Sequence, residues 1–313
     1  MKSVRGSVQS ESIETVARIV ARHFPDWSSP TFERVSDGGS TRVYRIRTGG
    51  SVLYLRVFPE AGSSFVPEAR VHQILREKGA RVPDVLLVEA ENSELRRSIM
   101  VTTEIVGLPV HAGEVASNIP RILGEAGKDL ASINRVPVEG FGWIRRDLGA
   151  EDTLRGEFPT YSEWVDDHYG RCLGVLAETG VLTRLEVASV QDLIATQAGS
   201  ASSEKAYLAH GDFDPTHIYV DRGTYSGIID FGEIRGTPSL YDLGHFQIKD
   251  RDLLPHLLEG YAFQDDLPSG YRRKIDFFSL IIALRRLSRH VQTGRQLLAT
   301  DLAAISWARL ALG

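Results

Sequence analysis

Between His210 and Gly232 the sequence spells a β-hairpin with acidic residues at its open end. The run His210-Gly211-Asp212-Phe213-Asp214-Pro215-Thr216-His217 leads into the β-forming Ile218-Tyr219-Val220. A polar turn follows at Asp221-Arg222-Gly223-Thr224, and Tyr225-Ser226-Gly227-Ile228-Ile229 returns to Asp230-Phe231-Gly232. Two β runs about a glycine-containing polar turn are the signature of a hairpin. With regular pairing about the Gly223–Thr224 boundary, His217 lies opposite Asp230. The loop ahead of His217 brings Asp212 to the same place. Whatever the chain folds into must present two carboxylates and an imidazole at one mouth.

The flanking pattern says what surrounds that mouth. Apolar residues at Ile13, Val16, Ile19, Val20 and Phe24 predict an amphipathic helix over Ser12 to Phe24, stopped by Pro25 and Pro30. Three β-rich runs follow at Thr31–Val35, Val43–Arg47 and Val52–Phe58. The first two are separated by Ser36-Asp37-Gly38-Gly39-Ser40-Thr41-Arg42, the last two by Thr48-Gly49-Gly50. A helix fits Val66 to Lys78, closed by Gly79 just past its end. Strand-like runs at Val85–Glu89 and Ser98–Glu104 come next, with turn residues Glu91-Asn92-Ser93 between them. The first hundred residues therefore predict a five-stranded antiparallel sheet with one inserted helix. After Gly107 the pattern turns helical, broken by the hairpin region from Tyr207 to Asp230. The expected architecture is α+β in two lobes: an N-terminal sheet lobe with a leading helix over residues 1–105, and a larger, mainly helical lobe over residues 106–313.

Composition narrows the partners. A chain of 313 residues can bury a sizeable core, and its formal net charge of −5 gives no pull toward nucleic acid or an anionic membrane. Cys172 is the only cysteine, so neither an intrachain disulfide nor a thiolate metal cluster can form. Met1 to Ser12 lacks the apolar core of a signal peptide, and the longest apolar stretch, Phe277 to Leu284, is too short to span a bilayer. The expectation is a cytoplasmic protein without nucleic-acid or membrane partners.

Two carboxylates at one mouth suit phosphoryl transfer. One can orient an acceptor hydroxyl and take its proton. The other can hold a divalent cation that bridges triphosphate oxygens and offsets developing charge. Asp212 is assigned the first task and Asp230 the second. Either aspartate alone would read as a turn residue satisfying backbone groups; the pair, with a hairpin between, carries the reading.

These residues also carry a resemblance. His210-Gly211-Asp212 followed by Asp230-Phe231-Gly232 resembles the catalytic and metal-binding signature of the aminoglycoside phosphotransferase and choline kinase family. Gly236-Thr237-Pro238-Ser239-Leu240-Tyr241-Asp242-Leu243 resembles the family's segment after the metal aspartate. Asp129-Leu130-Ala131-Ser132-Ile133-Asn134 through Phe141-Gly142 resembles its helix and following Phe-Gly loop. The resemblance spans roughly residues 30 to 300 and implies a bilobal, protein-kinase-like fold. It implies a phosphotransferase using ATP or GTP with magnesium, manganese being the alternative, on a small hydroxylated acceptor. It says little about which acceptor. Acidic residues Glu151, Asp152, Glu157, Glu163, Asp166, Asp167, Asp265 and Asp266 favour a cationic one, an aminoglycoside first, although most such residues are ordinary surface charges. A metabolic kinase of the choline or homoserine kinase sort and a catalytically silent nucleotide-binding module are the rivals.

Several positions depart from the family pattern. Where the family usually has a magnesium-binding asparagine five residues after the catalytic aspartate, this chain has His217. Imidazole suits manganese or zinc better, so His217 is read as a metal ligand, a tuner of Asp212 or a satisfied loop residue. Asp214 is a substitute oxygen ligand or a solvent-facing turn residue. No lysine lies on a β run of the first lobe, so Arg56 takes the phosphate-pairing role with Glu68 of the next helix as its partner. By position, the glycine-rich loop with Ser40 and Thr41 covers the phosphates. Thr103, Glu104, Ile105 and Val106 form the hinge that meets the base. Asp242 is read as a brace for the catalytic loop and Asn134 is given no role. Glu233 is expected to be exposed, and Arg285, Arg286 and Arg289 to form a solvated or salt-bridged helix face.

Overall fold

A computed structural model describes residues 12–35, 41–110, 118–149, 152–200, 205–262 and 267–313, the side chains at 168 and 198–200 excepted. These group into two compact units. The first comprises the described residues of Met1–Gln73, Pro83–Glu104 and Arg146–Ala150; the second comprises those of Ile74–Val82, Ile105–Arg145 and Glu151–Gly313.

The first unit opens with α1 (Ile13–His23), whose N-cap Ser12 accepts a hydrogen bond from the Thr15 amide at 3.2 Å. There follow β1 (Thr31–Val35), β2 (Arg42–Thr48), β3 (Ser51–Val57), α2 (Val66–Glu77), β4 (Val85–Asn92) and β5 (Arg97–Thr103). The strands form the five-stranded antiparallel sheet that the sequence predicts, in the order β1-β2-β3-β5-β4. One face takes Val16, Ile19 and Val20 of α1 against Tyr44, Ile46, Leu53, Leu55 and Val57. On the other face Met100 packs with Phe65 and with Ala69 of α2. Arg56 pairs with Met100 across the β3–β5 register, so strand alternation sends it to the α2 side. Gly79 ends α2 at φ +82°, and the Ala80 amide reaches back to the Leu75 carbonyl at 3.0 Å, the closure expected of a C′ glycine. The β4–β5 turn differs from expectation. Asn92 is still in β4, and its Oδ1 accepts from the amides of Glu94 and Leu95, which shifts the turn past it.

The second unit contains β6 (Leu108–Pro109), α3 (Ile119–Ile133), β7 (Phe141–Ile144), β8 (Gly156–Phe158), α4 (Tyr161–Glu178), α5 (Arg184–Ser200) and β9 (Tyr207–Ala209). It continues with β10 (Ile218–Asp221), β11 (Thr224–Ile228), β12 (Arg235–Thr237), α6 (Tyr241–Lys249), α7 (Leu254–Tyr261), α8 (Tyr271–Thr293) and α9 (Ala299–Leu312). The buried helix α8 packs against α4, α6 and α9, and α3 packs against α7. Two small sheets position the segment from His210 to Gly232: β11-β10-β6 and β8-β7-β12-β9. Strands β7, β8 and β12 are not predicted, and the Phe141-Gly142 loop of the sequence reading is the start of β7. Strands of three or four residues are too short to display alternation, and their partners lie far along the chain.

The hairpin forms with a corrected register. Arg222 and Gly223 both have left-handed φ, +47° and +76°, as a type I′ turn requires. Asp221 pairs with Thr224 and Val220 with Tyr225; a bulge at Ser226 then shifts the pairing to Tyr219 with Gly227 and Ile218 with Ile228. The turn is therefore centred on Arg222–Gly223, and the residue across from His217 is Ile229, whose amide donates to the His217 carbonyl at 3.1 Å.

Candidate active site

Asp212 sits on a loop held by buried polar groups. The Asp242 carboxylate, wholly buried at the start of α6, accepts from the amides of His210 and Gly211 at 2.8 Å each and from Asn134 Nδ2 at 2.8 Å. Asp242 thus braces the loop as expected. Asn134 proves to be part of that brace: its amide group also donates to the Leu208 carbonyl and accepts from Tyr261 Oη. Gly211 has φ +86°, and a Cβ there would fall 1.9 Å from the Glu233 carbonyl, so only glycine fits. His210 is buried; its Nε2 donates to the Ile229 carbonyl at 2.9 Å while Nδ1 faces the Asp212 amide at 3.4 Å. Burial, followed by the nearby His217, lowers its pKa and matches that neutral donor–acceptor pattern.

His217 joins the two aspartates. Its Nδ1 lies 2.7 Å from the Asp212 carbonyl, which can only accept, so Nδ1 carries the proton. Nε2 is left with its lone pair, 3.8 Å from Asp230 Oδ2. A ring oriented through one nitrogen by a backbone carbonyl, with the other free, is the usual preparation of a metal-ligating histidine. Asp230 itself has φ +66°, rare for a non-glycine residue, and its carboxylate is 55% exposed. Asp212, His217 and Asp230 are therefore brought together. Asp214 is not the solvent-facing residue of one expectation. It is buried, caps the short 3₁₀ turn Pro215–His217 through the Thr216 amide at 2.8 Å, and pairs with Lys249 at 3.3 Å.

Behind Asp212 lies a chain of side chains that the sequence does not announce. His245 of α6, fully buried, places Nδ1 2.9 Å from the Phe213 carbonyl and Nε2 3.0 Å from Asp212 Oδ1. Arg286 Nη1 of α8 lies 3.1 Å from the same Nε2, and Arg286 Nε donates to Asp301 Oδ1 of α9 at 2.9 Å. Burial alone would raise the Asp212 carboxyl. The hydrogen bond from His245 and the surrounding imidazoles outweigh it and hold Asp212 well below the usual carboxylate range. No spacing in the sequence links residues 212, 245, 286 and 301; only the helix packing does.

Arg56 and Glu68 meet within the sheet unit. Glu68, in the first turn of α2 and fully buried, pairs with Arg56 and with Arg146, the latter at 3.2 Å. Arg146 was not foreseen, because it comes from a segment far along the chain. The Arg56 guanidinium also lies over the Phe65 ring, 4.9 Å from its centroid. Thr103 closes β5, its Oγ1 accepting from the Asp84 amide at 2.9 Å, and Glu104 accepts from Tyr54 Oη at 3.2 Å. Ile105 and Val106 open the second unit, with Val106 exposed. Thr41 precedes β2, whereas Ser40 and the rest of the 36–40 loop lie outside the described residues.

The charged residues set aside for the acceptor divide. Glu151, Asp265 and Asp266 lie outside the described residues. Glu163 completes a capping box with Thr160, and Asp167 pairs with Arg171. Asp152, Glu157 and Asp166 are exposed. Glu233 is not simply exposed: Arg235 Nη2 holds it at 2.8 Å, with Arg285 at 3.6 Å and Arg289 at 3.8 Å. Of the arginine face expected to be solvated or salt-bridged, all three members are salt-bridged: Arg285, which is buried, and the exposed Arg289 to Glu233, and Arg286 to Asp301. Among the described residues no helix is long and apolar enough to cross a membrane, and no group of three or more His, Cys, Asp or Glu is placed to hold a metal.

Residues 31–278, spanning β1 to the middle of α8 and every side chain of the Asp212 and Asp230 loops, match the phosphotransferase enzyme family. The chain belongs to that family. No curated protein matches it, but solved structures do. A putative fructosamine-3-kinase from Thermobifida fusca YX-ER1 is 19% identical over 96% of this chain and 99% of its own, with a TM-score of 0.69. A thermostable mutant of aminoglycoside phosphotransferase APH(4)-Ia, in ternary complex with ADP and hygromycin B, is 16% identical over 94% of this chain and 95% of its own, with a TM-score of 0.66. The GDP complex of wild-type aminoglycoside 2'-phosphotransferase-IIIa is 15% identical over 96% and 99%, with a TM-score of 0.64. The chain thus has the protein-kinase-like α+β fold of these structures, and its family makes it a phosphotransferase enzyme.

Proposed function

We propose that this phosphotransferase moves the γ-phosphate of ATP or GTP to a hydroxyl of a small molecule, with Asp212 facing the acceptor and Asp230 with His217 holding a divalent cation. One observation carries the reading: a single imidazole is hydrogen-bonded to the Asp212 backbone while its other nitrogen faces the Asp230 carboxylate. Asp212 Oδ1 is engaged by His245, which leaves Oδ2 to take the hydroxyl hydrogen bond and its proton. Kept well below the usual carboxylate range, Asp212 is ionised throughout the working pH, so its contribution is orientation and charge more than basicity.

The donor set fits a cation only loosely caged by protein. One exposed carboxylate and one prepared imidazole leave most positions for nucleotide oxygens and water, as phosphoryl-transfer sites do. When bound, the cation would bridge phosphate oxygens and neutralise their charge. The nitrogen ligand favours manganese relative to an all-oxygen site, with magnesium as the ordinary alternative. On the donor side, Arg56 oriented by Glu68 holds phosphate oxygens, the loop with Ser40 and Thr41 covers them, and Thr103 to Val106 meets the base through backbone groups. The neighbouring structures carry ADP in one case and GDP in another, which supports a purine nucleotide donor without choosing between them. One neighbour is in complex with hygromycin B and another is a putative fructosamine-3-kinase, so an aminoglycoside acceptor is one member of a broader set.

The test is phosphate transfer from ATP and from GTP, in magnesium and in manganese, onto a pooled panel of hydroxylated acceptors read by mass spectrometry. Asp212→Asn should lower turnover by about 10²–10⁴-fold while nucleotide binding persists. Nucleotide binding without any phosphorylated product or ADP release, in either metal, would establish the silent binding module instead.

A further inference from the structure

A cavity of about 420 Å³ in the second unit is lined by Trp143, Arg171, Glu233, Arg285, Arg289 and Gln292, with Cys172 and Ser288 at its base. It adjoins the catalytic loop through the backbone, because the Glu233 carbonyl is the atom a Cβ at Gly211 would strike. Glu233 is also the last residue of the short turn that begins just after Asp230. The Asp212 charge reaches the cavity too. Burial opposes the charge on Arg285, but Tyr241, Glu233, Tyr169 and Asp212 outweigh it and raise its pKa.

The charge balance of this cavity is positive. Two guanidiniums, Arg285 and Arg289, line it against one carboxylate, Glu233, the third lining arginine, Arg171, being paired with Asp167; Glu233 already takes its close hydrogen bond from Arg235 at 2.8 Å. Arg285 and Arg289 approach Glu233 only to 3.6 and 3.8 Å, beyond hydrogen-bond distance. Arg285 is 92% buried, and its Nε has no hydrogen-bond partner among the described residues. A buried guanidinium with an unmatched donor is costly unless something supplies an acceptor. Two guanidiniums lie over the Trp143 ring, Arg235 at 4.1 Å and Arg285 at 5.9 Å from its centroid, contacts that help hold both in place.

We infer that this cavity receives the acceptor, and that the acceptor is an alcohol carrying an anionic group, a carboxylate or a phosphate, held by Arg285 and Arg289. The inference rests on the phosphotransferase reading of Asp212 and Asp230 and deepens it by naming the acceptor class. It displaces the polycationic acceptor expected from acidic residues, because a polycation entering here would meet two under-neutralised guanidiniums. A planar fork matched to two carboxylate or phosphate oxygens is what guanidinium provides. The cavity is joined to the Asp212 loop through Glu233, so an acceptor seated here by its anion is inferred to extend its hydroxyl end to Asp212.

The test has two independent readouts. Trp143 fluorescence is titrated with glycerol 3-phosphate and D-gluconate as anionic probes, glycerol and glucose as neutral ones, and hygromycin B as the polycation, with Trp143→Phe as the signal control. Phosphate transfer to the same five compounds is followed in parallel with ATP and manganese. The anionic probes should quench or shift the emission, and Arg289→Ala, at an exposed position that does not threaten the core, should weaken their binding about tenfold or more. Nucleotide affinity in Arg289→Ala should stay within about twofold, and Arg285→Lys, which keeps the charge but loses Nε, should weaken the anions as well. Preferential binding of hygromycin B or of the neutral probes, or anion binding indifferent to Arg289→Ala, overturns the inference. Anion binding with the expected Arg289 dependence, but with no transfer from any nucleotide to any alcohol, keeps the cavity and sinks the phosphotransferase reading instead.

Discussion

The sheet and the Asp212 loop are held in shape by opposite means. In the sheet unit, alternating apolar residues of five regular strands meet the apolar stripe of α1, and the fully buried Glu68 is flanked by two arginines. In the second unit the catalytic loop is held by polar groups with almost no exposure: Asp242, Asn134, His210, His245 and Asp301. An apolar face tolerates many residues of similar size and so fixes the fold without fixing a position closely. A buried hydrogen-bonded network tolerates almost none, and it sets Asp212 to within a fraction of an ångström. Geometry that chemistry depends on is thus secured by the more fragile device.

The sharpest way to break this contrast is to remove Asp242. Asp242→Ala orphans the amides of His210 and Gly211 and the Asn134 amide group, and should cost on the order of 4 kcal/mol, read as a fall in urea midpoint. A loss no larger than that of an exposed carboxylate would refute the bracing role. Leu55→Ala in the sheet core comes next, at about 2–4 kcal/mol, and it should leave the acceptor KM of the surviving folded enzyme untouched. Glu68→Ala should cost less than the ~3–5 kcal/mol of a fully buried broken pair, because Arg56 and Arg146 keep 13% and 16% side-chain exposure. Its larger effect should fall on nucleotide KM.

Asp129 supplies a pH arm at smaller scale. Its Oδ2 accepts from the Arg81 amide at 2.9 Å and Tyr225 Oη at 2.8 Å, and burial raises its carboxyl above the unfolded value. Stability from such a group is complete below the usual carboxylate range and is lost as pH rises through the raised value. Asp129→Asn should therefore gain on the parent enzyme as pH climbs from about 3 to 7, measured as the difference in Tm. A pH-independent difference would show that burial does not govern this group. Smallest of all, Thr160→Ala removes the capping box of α4 and should cost about 1 kcal/mol by urea denaturation, with no change in turnover.

How much of this was legible in the sequence follows the same division. The five-stranded sheet and the Arg56–Glu68 pairing were readable, because period-two alternation and a capped helix are local signals, whereas the exchange of β4 and β5 in the strand order was not. The convergence of Asp212, His217 and Asp230 was readable from the hairpin, although the bulge at Ser226 moved the register. What could not be read came from distant segments. Arg146 reaches Glu68 across 78 residues, and Asn134 reaches Asp242 across 108. His245, Arg286 and Asp301 looked like ordinary helix residues until packing turned them inward. The short strands β7, β8 and β12 exist only through pairing with one another and with β9.

The line from Asp212 through His245 and Arg286 to Asp301 has a consequence in time. A growing polypeptide emerges from the ribosome in order, so Asp212 and His245 are made well before α9. Until α9 docks, Arg286 lacks its buried counterion, and the guanidinium beside His245 has nothing to hold it. Docking of α9 thereby becomes the step that completes the support behind Asp212, and a nascent chain stalled short of α9 would be folded in its sheet with that support missing.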